Sequence, residues 1–364
     1  MACSTRSPPA CARTKSRRAR KASKPVVTSA AASEFALIDK YFARPTPSAV
    51  LGPGDDCALL QPSPGMQLAV TTDMLVAGVH FLPDTNPKNL GWKALAVNLS
   101  DLAAMGATPR WVTLAGALPA VDEAWLAAFA EGFFTCASEY GVDVVGGDTT
   151  RGPMNICITA LGEVAPDRAL RRDGARAGDL IWVSGRPGLA ALGLAHLQGK
   201  LKLPEPWPRL CVAALEKPRP RVALGQALAG IASAAIDVSD GLLADLGHIA
   251  ERSGLAAQVK LVQLPQLKDV CGSGDSYDAD LRRMALECQL AGGDDYELCF
   301  TASGTQSLAI GQIAARLELP LWCIGEMIAG PAGEVTVLDP DGLPVSISRS
   351  GYDHFARDEQ PETP

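Results

Sequence analysis

A two-domain α/β (α+β) protein is predicted by three observations. The chain has 364 residues, more than one hydrophobic core usually organises. Apolar residues make up 47% of it, enough to fill two interiors. Strand-like and helix-like stretches alternate through both halves, which is the pattern of layered α/β construction.

Order is expected from about Ser33, where Glu34–Phe42 reads as an amphipathic helix that must stop before Pro45 and Pro47. The β-branched run Gln67–Leu75 reads as a strand. Asn86-Pro87 opens a helix, because proline is tolerated in a first turn, and Gly106 ends it. Strands follow at Trp111–Ala117, Val142–Val145 and Ile156–Val164, with a helix over Glu123–Tyr140, so a first domain spans 33–165. The second domain, 166–355, starts with a short apolar strand at Leu180–Val183 and a helix at Leu189–Gln198. After the proline-rich connector Leu203–Pro208 come a further helix, a strand near Ala232–Ile236 and a helix from Leu242 to about Ser253. A Gly/Ser/Asp-rich loop at Cys271–Asp278 precedes a helix over Ala279–Leu290 and a strand at Tyr296–Thr301.

Residues 1–32 are expected to form a disordered basic tail and 356–364 a short second tail. Eight Lys and Arg and no acid fall before Glu34, leaving 25 basic against 40 acidic residues in the remainder. So acidic a body argues against nucleic acid as a partner, and a phosphate ester would need cations between it and the protein. No run of 18 apolar residues and no secretory core are visible, so neither a membrane span nor export is expected. The ten cysteines form no Cys-x-x-Cys pair and read as reduced thiols of the cytoplasm.

Aspartate recurs beside glycine or hydroxyl residues: Gly54-Asp55-Asp56, Thr71-Thr72-Asp73, Gly146-Gly147-Asp148-Thr149-Thr150, Asp237-Val238-Ser239-Asp240-Gly241 and Gly292-Gly293-Asp294-Asp295. Glycine lets backbone approach a ligand, and aspartate supplies short, hard oxygen donors suited to Mg²⁺. Each motif alone reads first as an ordinary turn. Asp101 carries more information, since it continues the helical stripe Leu90, Ala94, Val97, where a carboxylate needs a cation, a backbone cap or an arginine. Asp237 to Asp240 sit before a helix start, where Ser239 or Asp240 serves either as a plain N-cap or as part of a phosphate and metal site. Gly193 to Lys200 mimics a phosphate-binding loop, but the spacing is one residue too long and Leu201 stands where Ser or Thr is needed. Four unclustered histidines (80, 196, 248, 354) argue against zinc catalysis.

Taken in order, several longer segments resemble the thiamine-monophosphate kinase family of the aminoimidazole ribonucleotide synthetase-like superfamily. They are Gly52–Leu60, Thr72–Phe81, Lys93–Gly106, Gly146–Pro153, Ile236–Gly247, Asp295–Leu298 and Gly351–Phe355, and the resemblance covers about residues 33–355. It implies an N-terminal domain that binds ATP and Mg²⁺ and dimerises through its sheet into a homodimer, with a C-terminal α/β domain closing over the nucleotide. It also implies a metal shell of Asp56, Thr71, Thr72, Asp73, Asp101, Asp148, Asp237 and Asp240, with Asp148, Asp73 and Asp240 central to catalysis. Gly147, Asp148, Arg172 and Ser239 would contact ATP, and His80, Asp294 and Tyr352 would hold thiamine monophosphate. The family usually has glutamate where this chain has Asp294, one methylene shorter. The alternatives are another ATP-using synthetase of the superfamily and an inactive nucleotide-binding paralogue. The Gly78-Val79-His80-Phe81 and Gly351–Phe355 segments favour the kinase.

Overall fold

The first half of the chain runs α1 (Glu34–Tyr41), β1 (Gln67–Val76), α2 (Pro87–Ala104), β2 (Thr108–Leu118), α3 (Glu123–Tyr140), β3 (Asp143–Arg151) and β4 (Asn155–Val164). The second runs β5 (Leu180–Ser184), α4 (Leu189–Leu197), α5 (Trp207–Glu216), α6 (Val222–Leu228), β6 (Ala234–Val238), α7 (Leu242–Ser253) and β7 (Ala256–Lys260). It closes with α8 (Ala279–Ala291), β8 (Glu297–Ala302), α9 (Ser307–Leu317), β9 (Leu321–Ile328) and β10 (Val335–Leu338). This computed structural model describes residues 34–267, 279–347 and 351–352. Both tails, the Cys271–Asp278 loop and Asp353–Phe355 lie outside the described residues.

Each half builds one mixed sheet. The first has the order β1-β4-β2-β3 and the second β10-β7-β9-β5-β8-β6. Ladders β2/β3 and β10/β7 are parallel, whereas β1/β4, β2/β4, β5/β8, β5/β9, β6/β8 and β7/β9 are antiparallel. The alternation of strand and helix therefore yields an α+β arrangement with crossovers rather than a wholly parallel sheet. The stretch Gly146–Thr150 is strand, not a turn: β3 continues to Arg151, and Gly147, at φ +155, lets β3 pass the Leu114 carbonyl, which a Cβ there would approach to 1.8 Å.

Local signals set the helix ends. Asn86 Oδ1 accepts from the amides of Lys88 and Asn89, and Pro87 occupies the first turn of α2. Gly106, at φ +66, turns the chain out of that helix. Asp122 caps α3 in the same way, through the amides of Ala124 and Trp125.

Helix α2 is the axis of the molecule. It packs on the first sheet and on α3 from one side and against α6, β6 and β8 from the other. The core around it is continuous across both halves, joining Leu95 and Phe133 to Ala235, Leu298 and Phe300. The single apolar stripe predicted for it is thus too narrow, because residues all round the helix are buried, including Lys93, Asn98 and Ser100. Its crossing with α3 is a backbone contact. A Cβ on Gly91 would sit 2.0 Å from the Phe129 carbonyl oxygen, and one on Gly132 would sit 1.7 Å from that of Lys88.

The first sheet has two unlike faces. Along β1, Thr71, Asp73 and Leu75 point toward α2, while Leu68, Val70, Thr72 and Met74 are on the open face. Among the described residues no helix is long and apolar enough to cross a membrane.

Candidate active site

Three carboxylates meet where the halves touch: Asp73 on β1, Asp101 in the last turn of α2 and Asp237 on β6. Strand alternation aims Asp73 at α2, and the amide of Asp73 donates to Asn98 Oδ1 at 3.1 Å, which registers strand against helix. Burial pushes the Asp73 carboxyl up to about 7, and the Asp101 charge acts in the same direction. Burial also raises Asp101, opposed by a hydrogen bond from Thr71 Oγ1 to Asp101 Oδ2 at 2.5 Å and by the nearby Arg172 guanidinium. Asp237 is held well above the carboxylate range by burial and then by Asp101. Carboxylates that raise one another in this way need positive charge, and hard oxygen donors with one arginine beside them suit a divalent cation such as Mg²⁺. Among the described residues no three Asp, Glu, His or Cys side chains converge in coordination geometry. The fit to a cation rests on this donor chemistry and mutual repulsion.

The turn after β6 carries Ser239 and Asp240. Neither caps α7. The Asp245 carboxylate, from the first turn of that helix, accepts from the amides of Ser239, Asp240 and Gly241 at 2.9, 3.1 and 3.1 Å. Asp245 thus satisfies the three backbone donors that lead into α7 and fixes the shape of the turn that carries Ser239 and Asp240. Burial and the adjacent Asp240 charge push Asp245 up to about 7 against those three donors. Asp245 was not singled out in the sequence, since its role depends on a turn four to six residues upstream.

Asp294 and Tyr352 are hydrogen-bonded to this same turn. The Asp294 amide donates to the Ser239 carbonyl, and the Tyr352 amide to that of Asp240, both at 2.9 Å. Gly293 permits the first contact, since a Cβ there would lie 2.4 Å from the Ser239 oxygen. His80 Nδ1 accepts the Val76 amide at 3.0 Å in the turn following β1. Sequence reasoning missed Lys93. Its Nζ lies 3.1 Å from Asp294 Oδ2, joining the halves beside His80. A lysine inside an apolar helix was the available signal.

The remaining predicted residues lie elsewhere. Asp56, Gly147 and Asp148 line a separate cleft of about 1030 Å³ with Trp125 and Phe129 in its wall. Thr72 Oγ1 lies 2.9 Å from Thr159 Oγ1 on the open sheet face, away from Thr71 and Asp73. Register places Asp148 on that open face too, through Met74–Cys157–Ala115–Asp148. Asp73 and Asp148 are three strand spacings apart, roughly 15 Å, so one subunit cannot offer both to a single ion.

Comparison with known proteins adds to this geometry. Residues 54–164 match the AIR synthase related protein, N-terminal domain, and residues 176–338 match the AIR synthase related protein, C-terminal domain. The chain is 47% identical over 334 residues to the thiamine-monophosphate kinase of Salmonella typhimurium, covering 90% of this chain and 99% of that protein. The crystal structure of thiamine-monophosphate kinase from Stenotrophomonas maltophilia K279a aligns with TM-score 0.75 and 48% identity, covering 86% of this chain and 98% of the other. The structure of AaThiL complexed with AMPPCP and TMP aligns with TM-score 0.68 and 31% identity, covering 88% and 97%.

Proposed function

We infer from the chain's family, for it belongs to the thiamine-monophosphate kinases, that it moves the γ-phosphoryl group of ATP to thiamine monophosphate, giving thiamine diphosphate and ADP. The observation that carries this reading is the approach of half-buried Asp73 and Asp101 to buried Asp237, from both halves, beside Arg172. Such a site favours bound cations, and cations held there suit reactants that carry several negative charges.

The difficulty in joining a triphosphate to a second phosphate ester is charge repulsion, so positioning and electrostatics dominate the catalysis. An acceptor phosphate oxygen attacks the γ-phosphorus while the bond from that phosphorus to the β,γ-bridging oxygen breaks, and ADP departs with the electron pair. The acceptor oxygen is already ionised near neutrality, so no side chain has to remove a proton. Asp56, Thr71, Thr72, Asp73, Asp101, Asp148, Asp237 and Asp240 are the proposed Mg²⁺ ligands, with Thr72 contributing other than through its Thr159-paired hydroxyl. Bound there, Mg²⁺ supplies the charge neutralisation that lets two polyanions approach. Arg172 adds fixed positive charge beside Asp101, and Gly147, Asp148 and Ser239 are assigned to ATP. His80, Asp294 and Tyr352 are assigned to thiamine monophosphate.

A homodimer completes the reading. Two copies packed on the open face of the first sheet would bury Leu68, Val70 and Met74 and set the Asp148 of each copy at the shared interface. That arrangement supports a division into residues 33–165 for nucleotide, cation and dimer contacts and 166–355 for closure. We place the enzyme in the cytoplasm, a reading supported by its uncrosslinked cysteines at 57, 136, 157, 211, 288, 299 and 323.

The test is to incubate purified protein with ATP, Mg²⁺ and thiamine monophosphate. Thiamine diphosphate and ADP are expected in equal amounts, with turnover abolished by a chelator. ATP consumption that ignores thiamine monophosphate but responds to an amide or selenide acceptor would replace this function with that of a synthetase.

A further inference from the structure

Phosphoryl transfer as described makes no use of Lys93. Yet this side chain is 2% exposed, on the helix that both halves share. Its ammonium donates to the backbone carbonyl of His80 at 3.4 Å and faces Asp294 Oδ2 at 3.1 Å. The other Asp294 oxygen accepts the Tyr296 hydroxyl at 3.0 Å. Asp294 and Tyr296 hold φ of +69° and +51°, a region that residues with side chains occupy rarely and keep where their surroundings hold them. A lysine so deep in the protein is tolerated when a carboxylate and further acceptors meet it.

We propose that Lys93 is the positioning residue of the acceptor pocket: one buried ammonium ties the His80 turn of the first half to the Asp294 carboxylate of the second. The proposal rests on the assignment of His80 and Asp294 to thiamine monophosphate made above. Both Asp294 oxygens are engaged within the protein, so this carboxylate is held in one orientation.

The experiment uses the full chain and four variants, Lys93→Met, Lys93→Arg, Asp294→Asn and the double Lys93→Met/Asp294→Asn, with ATP and thiamine monophosphate varied separately. Lys93→Met is expected to raise the KM for thiamine monophosphate about tenfold while the KM for ATP stays within about twofold. Lys93→Arg should recover part of that loss. The double variant should be no worse than Asp294→Asn, since the two side chains act as a unit. Should Lys93→Met fail to fold, the double variant, which leaves no charge unpaired, carries the measurement by comparison with Asp294→Asn, an equal acceptor KM in the two being the expected result. An acceptor KM unchanged by loss of Lys93 while Asp294→Asn raises it would overturn the positioning role and spare the acceptor site. Equal losses for ATP and acceptor, or additive losses in the double variant, would overturn it as well. If Asp294→Asn and His80→Ala both leave the acceptor KM unchanged, the acceptor assignment itself falls, and the proposal with it.

Discussion

Asp73 illustrates how a half-buried carboxylate reports on what must accompany it. Its folded value, about 7, lies above the ordinary 3.8, so the folded protein holds this proton more tightly than the unfolded chain does. With metal removed, stability should therefore fall as the pH rises from about 4 through 7. Asp73→Asn, neutral throughout, should lose that component of the slope and melt no lower than the parent at pH 8 while turning over at least about 100-fold more slowly. Thermal melts across this range and a steady-state assay check both halves of the statement. Asp101 was legible in the sequence because a carboxylate on an apolar helix demands a partner. Lys93 and Asp245 were not, since the first is explained by a residue about 200 positions away and the second by backbone donors that exist after the turn has formed.

At the scale of elements, the crossing of α2 and α3 depends on two glycines whose missing side chains let the helix backbones touch. Gly132→Ala would drive a methyl into the Lys88 carbonyl and should cost about 2–3 kcal/mol of stability, seen as a lower denaturation midpoint. Gly311→Ala, in α9 with open space beside it, should instead be neutral or stabilise by up to about 1 kcal/mol. The helix starts at Pro87 and Glu123 were legible because capping chemistry is local. The β3 strand was cut short at Val145, because Gly-Gly-Asp has the composition of a turn while the neighbouring β2 ladder makes it a strand. Helices α6 and α9 and strands β7, β9 and β10 had no sequence reading at all. Short segments such as Ala256–Lys260 owe their strand form to neighbours on both sides rather than to their own pattern.

For the whole molecule, alternation of patterns revealed two layered halves, but strand order and the single core running through α2 arise from pairings that periodicity does not encode. The open sheet face is the clearest feature at this scale. Val70 is 61% exposed at the centre of a row with Leu68 and Met74, so Val70→Arg is expected to convert a dimer to monomer in light scattering and to lower activity with it. An unchanged mass would count against pairing through this face.

The Asp245 carboxylate, seated among the amides of residues 239–241, ties the loop after β6 to the first turn of α7. Taking that carboxylate away would release three main-chain hydrogens at once, so the segment bearing Ser239 and Asp240 would lose the group that gathers its amides.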